Sequence, residues 1–114
     1  MDIRADQALR WWKRVCLEQV LDDRPDLTLR QLTLLLIIYL DPPPHTVRGL
    51  AARLGVTKPV VTRALNAMGA MGLVERRRDE RDRRNVLVRR TVEGSLFLEK
   101  LSDTIVIAAR EELR

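Results

Sequence analysis

A single cysteine, Cys16, and a single histidine, His45, exclude a large share of protein chemistry from this 114-residue chain. One cysteine makes no disulfide within a chain and no cysteine-based metal site. One histidine removes most zinc and general-base chemistry. No metal and no cofactor are therefore expected. Aromatic residues are nearly as scarce, only Trp11, Trp12, Tyr39 and Phe97, so the core must be built mostly from Leu, Val, Ile and Ala, a composition that suits helices packed on helices. The longest apolar run, Leu34–Leu40, is too short to span a bilayer. Met1–Asp6 has no apolar stretch of the signal-peptide kind. A cytoplasmic protein that does not engage membranes is expected. With no paired-carboxylate pocket, no Ser/His/Asp set and no phosphate loop in view, the chain is not expected to be an enzyme.

Acidic residues are missing from one long stretch. Between Pro42 and Val74 there is no Asp or Glu, while Arg48, Arg53, Lys58 and Arg63 are all present. Eight arginines then face four acids from Glu75 to Arg90. Residues 42–90 hold 12 basic and 4 acidic side chains, a net +8, and the other 65 residues hold 9 and 12, a net −3. The basic excess of a chain with an isoelectric point near 10.3 thus sits on one module, as a surface that meets phosphates requires. A basic protein with no such partner is the plain alternative.

Periodicity divides the chain into elements. Leu9, Trp12, Cys16 and Val20 recur at spacings of three and four, which predicts a helix over Ile3–Leu21, with Trp11 and Val15 widening its stripe. Pro25 closes that segment. Thr28 is placed to cap a helix over Leu29–Leu40, apolar nearly all round and so central. Pro42-Pro43-Pro44 ends it, and His45 is expected to be exposed. Thr46 caps a short helix, Val47–Leu54, closed by Gly55. Thr57 is expected to cap a fourth helix that tolerates Pro59 in its first turn, turns Val61, Leu65 and Met68 inward and ends at Gly72. Leu73–Arg78 and Val86–Thr91 read as strands of a hairpin with a charged tip at Asp79–Asn85. Thr91 caps a last helix over Val92–Leu113. The fold expected is mainly α with a small β-hairpin, a winged helix-turn-helix with one helix added at each terminus. It forms a single DNA-binding domain over 1–114, with a core at 28–91 and flanking helices at 1–24 and 92–114.

The run Thr46-Val47-Arg48-Gly49-Leu50-Ala51-Ala52-Arg53-Leu54-Gly55-Val56-Thr57-Lys58-Pro59-Val60-Val61-Thr62-Arg63-Ala64-Leu65 resembles the helix-turn-helix of the MarR family of bacterial regulators. Gly72-Leu73-Val74-Glu75-Arg76 resembles that family's entry to the wing. Asp79-Glu80-Arg81-Asp82-Arg83-Arg84 is similar to its wing motif, with an Asp-x-Arg pair before the returning strand. Thr91-Val92-Glu93-Gly94 resembles the start of the following helix. The resemblance implies a homodimer joined through the terminal helices, with recognition helices in successive major grooves. It also implies release by small phenolic ligands or thiol oxidation in many members, although no residue here singles out a small-molecule effector.

A helix lying in the major groove presents its exposed residues to base edges. With Val61, Leu65 and Met68 inward, that face holds Lys58, Pro59, Thr62, Arg63 and Asn66. Arg63 is the first choice for guanine, Asn66 for adenine, and Thr62 for a base or a phosphate. Thr57 and Lys58 lie at the positive helix end, where a phosphate is held. Arg84 is the wing residue for the minor groove, whose narrowness concentrates negative potential. Asp82 would set its direction, and Arg81 and Arg83 would meet flanking phosphates. Arg76, Arg77 and Arg78 alternate faces, so one or two should pair with Glu75 or Glu80. Arg48 and Arg53 are expected at the DNA backbone. Each of these has the ordinary reading of a solvated surface charge beside it.

Leu9, Trp11, Trp12, Leu101, Ile105 and Ala108 are expected to form the dimer interface. Adjacent Trp11 and Trp12 point about 100° apart on a helix, so both cannot be buried in one small core. Cys16 reads as a buried, inert thiol, with a redox sensor as the alternative, and Tyr39 as core. The function expected is a sequence-specific regulator of transcription that binds double-stranded DNA as a homodimer on a near-palindromic operator. The alternative is a winged-helix adaptor that binds a transcription or replication factor.

Overall fold

Thr28 and Thr46 begin two helices by the same means. Each hydroxyl accepts from an amide three residues on, Gln31 at 3.1 Å and Gly49 at 2.9 Å, which satisfies a first-turn donor that has no partner inside the helix. The computed structural model describes residues 2–114. The elements are α1 (Ala5–Leu21), α2 (Leu29–Leu40), β1 (His45–Thr46), α3 (Val47–Leu54), α4 (Lys58–Ala70), β2 (Val74–Arg78), β3 (Val86–Arg90) and α5 (Val92–Glu112). The chain gathers into two compact units, Leu27–Leu96 and a second made of the N-terminal segment to Asp26 together with Phe97–Arg114.

The Leu27–Leu96 unit is the winged helix. Its core takes Leu34, Leu35 and Ile38 from α2, Leu50 and Ala51 from α3, Val61, Leu65 and Met68 from α4, and Leu73, Val74 and Val88 around the sheet. Gly55 ends α3 in the left-handed conformation, φ 67°, which a residue with a Cβ adopts at a cost. The sheet has three strands in the order β1-β3-β2, all antiparallel. The hairpin register pairs Val74 with Arg90 and Arg78 with Val86. β1 is an addition to the expected hairpin: His45 and Thr46 pair with Val88 and Leu87. Two residues after a proline run are too short to show strand periodicity. His45 is accordingly half-buried rather than exposed, with Nε2 3.1 Å from the Asp41 carbonyl.

The second unit joins α1 to most of α5. Trp11 Nε1 donates to the Ile105 carbonyl at 3.1 Å. Arg14 pairs with Glu111, and Lys100 meets Asp22 at 2.8 Å. The Arg24 guanidinium lies over the Phe97 ring, 5.3 Å from its centroid. The face that α1 buries is not the one its apolar spacing marks. Gln7 and Val15 are buried and Trp11 is half-buried, whereas Leu9, Trp12 and Val20 are 71%, 50% and 61% exposed. The helix carries apolar residues on more than one face, and spacing alone does not say which of them its own chain covers. Leu101 and Ala108 are buried within the chain, Ile105 and Cys16 are half-buried, and Val106 and Ile107 of α5 are exposed.

Candidate nucleic-acid interface

α4 sorts its residues by a spacing of three and four. Val61, Ala64, Leu65 and Met68 are buried, while Lys58, Pro59, Arg63 and Asn66 are exposed and Thr62 is half-buried. The exposed row also contains Ala67, overlooked in the sequence because alanine carries no group that marks a contact, although its methyl suits the thymine methyl. Thr57 stands at the N-cap, but its hydroxyl does not cap the helix. Pro59 has no N–H to offer at the second helical position, and the Val60 N–H donates to the Thr57 carbonyl at 3.2 Å. The Thr57 hydroxyl is exposed and makes no capping bond to the helix.

The wing tip is held by its own side chains. The Asp79 N–H donates to the Asn85 carbonyl at 3.0 Å and the Asn85 N–H to the Asp82 carbonyl at 2.9 Å. Asp79 Oδ1 accepts from the Arg81 N–H at 2.9 Å, and Asp82 Oδ1 from the Arg84 N–H at 3.2 Å. The Arg84 side chain completes the grip with Nε on Asp82 Oδ1 at 3.0 Å. The Arg84 hydrogen bonds, with the charge of Arg48 adding to them, hold the Asp82 carboxyl below the usual carboxylate range. Even so, the Arg84 side chain is 84% exposed. Arg81 and Arg83 are exposed beside it.

The three arginines of β2 are each engaged. Arg77 pairs with Glu75 at 2.9 Å, as expected of one of them. Arg78 Nη1 braces the tip through the Arg83 carbonyl at 2.8 Å. Arg76 Nη2 donates to Asn66 Oδ1 of α4 at 2.6 Å. That bond bears on the adenine pairing expected of Asn66. Such a pairing needs the amide oxygen to accept from the base, and here the oxygen already accepts from Arg76.

Arg48 is exposed on the first turn of α3, and Arg53 on its last turn is tied to Asp41 at 2.7 Å. Arg90 serves the fold, donating to the carbonyls of Ile38 at 2.8 Å and Asp41 at 2.9 Å at the end of α2. Tyr39 is more than core filler. Its hydroxyl donates to the Leu73 carbonyl at 2.6 Å and accepts from the Thr91 N–H at 2.8 Å. Thr91 in turn donates its hydroxyl proton to the Gly72 carbonyl at 2.7 Å and accepts from the Gly94 N–H at 2.9 Å. The wing's entry and exit are thereby anchored to α2. Thr91 is the one hydroxyl residue at the ends of the two wing strands, and its separation from Tyr39 in the chain hides the contact. No helix is long and apolar enough to cross a membrane among the described residues.

The sequence model of the MarR family matches residues 26–85. No curated protein matches the chain. Among solved structures, a point mutant of MepR from S. aureus is 20% identical, covers 96% of this chain and 82% of its own, and superposes with a TM-score of 0.72. The transcriptional repressor CouR, known from Rhodococcus jostii RHA1 and solved bound to a 23-mer DNA duplex, is 24% identical over 95% of this chain and 73% of its own, TM-score 0.72. The transcriptional regulator BldR from Sulfolobus solfataricus is 25% identical over 98% of this chain and 86% of its own, TM-score 0.64.

Proposed function

Because the chain belongs to the MarR family, whose fold it carries over nearly its whole length, we propose that it is a sequence-specific regulator of transcription that acts on double-stranded DNA. In this reading α4 lies in the major groove with Arg63 at a base edge, Thr62 at a base or phosphate, and Thr57, Lys58 and Pro59 at the backbone. The wing follows the adjacent minor groove, led by Arg84 with Arg81 and Arg83 on phosphates. The observation that carries the reading is Arg84, held by Asp82 through two side-chain hydrogen bonds yet 84% exposed. A cation aimed outward without being neutralised by burial suits a concentrated negative potential. CouR bound to a DNA duplex has the same fold and supports the direction of the reading.

The proposal includes a homodimer. α1 and α5 expose Leu9, Trp12, Leu17, Val20, Val106 and Ile107, apolar side chains that a second copy would cover. Two-fold symmetry would double the contacted sequence and call for a near-palindromic operator.

The test is a fluorescence anisotropy titration against duplex DNA across a range of salt, with Arg84→Glu as control. Each neutralised phosphate steepens the dependence of log affinity on log salt by about 0.9. A dimer with about eight such contacts loses roughly three to five decades of affinity between about 50 and 200 mM salt. A flat response, or equal binding by Arg84→Glu, would overturn the proposal and turn attention to an adaptor that binds protein.

A further inference from the structure

The bond between Arg76 and Asn66 joins the wing strand to the exposed face of α4 at 2.6 Å. A guanidinium only donates, so the atom turned to Arg76 must be the amide oxygen, and the Asn66 NH2 group points away from that bond. Asn66 lies three residues after Arg63 on the same exposed helix face, and both Asn66 and Arg76 are exposed. The contact therefore acts on chemistry at the surface and fills no core.

We infer that Asn66 is a specificity-determining residue whose choice of base is set by Arg76, a positioning residue on β2, and that the pair selects guanine. This rests on the DNA-binding reading above. An unconstrained asparagine prefers adenine, since its oxygen accepts from N6 and its nitrogen donates to N7. With the oxygen committed to Arg76, only donors remain. Guanine presents two acceptors in the major groove, N7 and O6, adenine and thymine present one each, and cytosine presents a donor. An amide restricted to donating ranks guanine first and cytosine last.

The inference predicts a change of preference at one base pair and not a general loss of affinity. Bound fragments are selected from random duplex DNA with the full chain and its variants, and the position is defined as the one whose preference disappears in Asn66→Ala. The wild type should favour guanine there over adenine by about tenfold, the scale of a good base contact. Arg76→Ala frees the amide oxygen and should move the preference to adenine, and Arg76→Lys, which restores a donor, should return it to guanine. Asn66→Asp keeps a partner for Arg76 but offers the base an acceptor only, so it should move the preference to cytosine. That variant leaves Arg76 in place and covers the case in which Arg76→Ala fails to fold, which thermal unfolding would report. Adenine as the wild-type choice, or a preference that stays the same in both Arg76→Ala and Asn66→Asp, overturns the inference while leaving DNA binding standing. A wild type that enriches no sequence removes both.

Discussion

The Arg84 guanidinium faces both carboxylate oxygens of Asp82, Nε on Oδ1 at 3.0 Å and Nη2 on Oδ2 at 3.2 Å. Removing either partner has a distinct consequence. Arg84→Ala deletes the cation from each protomer and should lower the salt slope of binding by about one unit per protomer, roughly two for a dimer. Asp82→Ala leaves the cation but loses its direction and the turn that Asp82 holds for the Arg84 N–H. Affinity should fall roughly twofold to fivefold, as expected for an exposed pair worth below about 1 kcal/mol, with no shallower slope. Paired titrations at several salt concentrations separate the two.

The same pair fixes a pH response. The pKa of Asp82 is lowered by its hydrogen bonds from Arg84, and less by the charge of Arg48, so its stabilising contribution is present above the unfolded value of 3.8 and is lost as pH falls through the lower folded value. The wing geometry should therefore be constant through neutral and mildly acidic solution and loosen only below 3.8. NMR titration of the Asp82 carboxyl checks this, and a midpoint at or above 3.8 would contradict the pairing.

Gly94 has no room for a side chain, because a Cβ there would overlap the Tyr39 hydroxyl and the Leu73 carbonyl. Gly94→Ala should destabilise the protein by about 1–3 kcal/mol, the usual cost of overpacking. Tyr39→Phe alone should cost about 1–3 kcal/mol, since it leaves the Thr91 N–H without its acceptor. The double variant should be somewhat less destabilised than the sum, because the hydroxyl is gone while the overlap with the Leu73 carbonyl and the ring carbon remains. Urea unfolding of the four proteins gives that coupling directly, and strict additivity would contradict the packing.

Arg48 and Arg53 both lie on α3, yet only Arg53 has an acidic partner in contact, Asp41 at 2.7 Å. Arg53→Ala should weaken DNA binding less than Arg48→Ala, and Asp41→Ala should strengthen it modestly by releasing Arg53 to phosphate, with effects of roughly twofold to fivefold for exposed charges. Anisotropy at low salt checks the order.

Trp12 is half exposed and Leu101 is 5% exposed, so they answer differently. Trp12→Glu should convert a dimer to a monomer in analytical ultracentrifugation with little change in helix content. Leu101→Ala should instead lower thermal stability, by about 2–5 kcal/mol for a buried leucine.

Residue type and spacing were enough to define the winged helix. Thr28 and Thr46 start helices, Gly55 stops one, and Val61, Leu65 and Met68 face the core because capping and periodicity act over a few residues of chain. Asp82 and Arg84 could be paired for the same reason, being two residues apart. Folding decided what depends on residues distant in the chain. β1 exists because β3 offers it an edge. Asn66 loses its oxygen to an arginine ten residues on, and Tyr39 gathers the wing's ends from 34 and 52 residues away. The buried face of α1 was not legible either, since a helix with apolar residues on several sides does not declare which side its own chain will cover. Local patterns carry torsional preference and amphipathicity, but a hydrogen bond between distant residues is specified only once the backbone has brought donor and acceptor within reach.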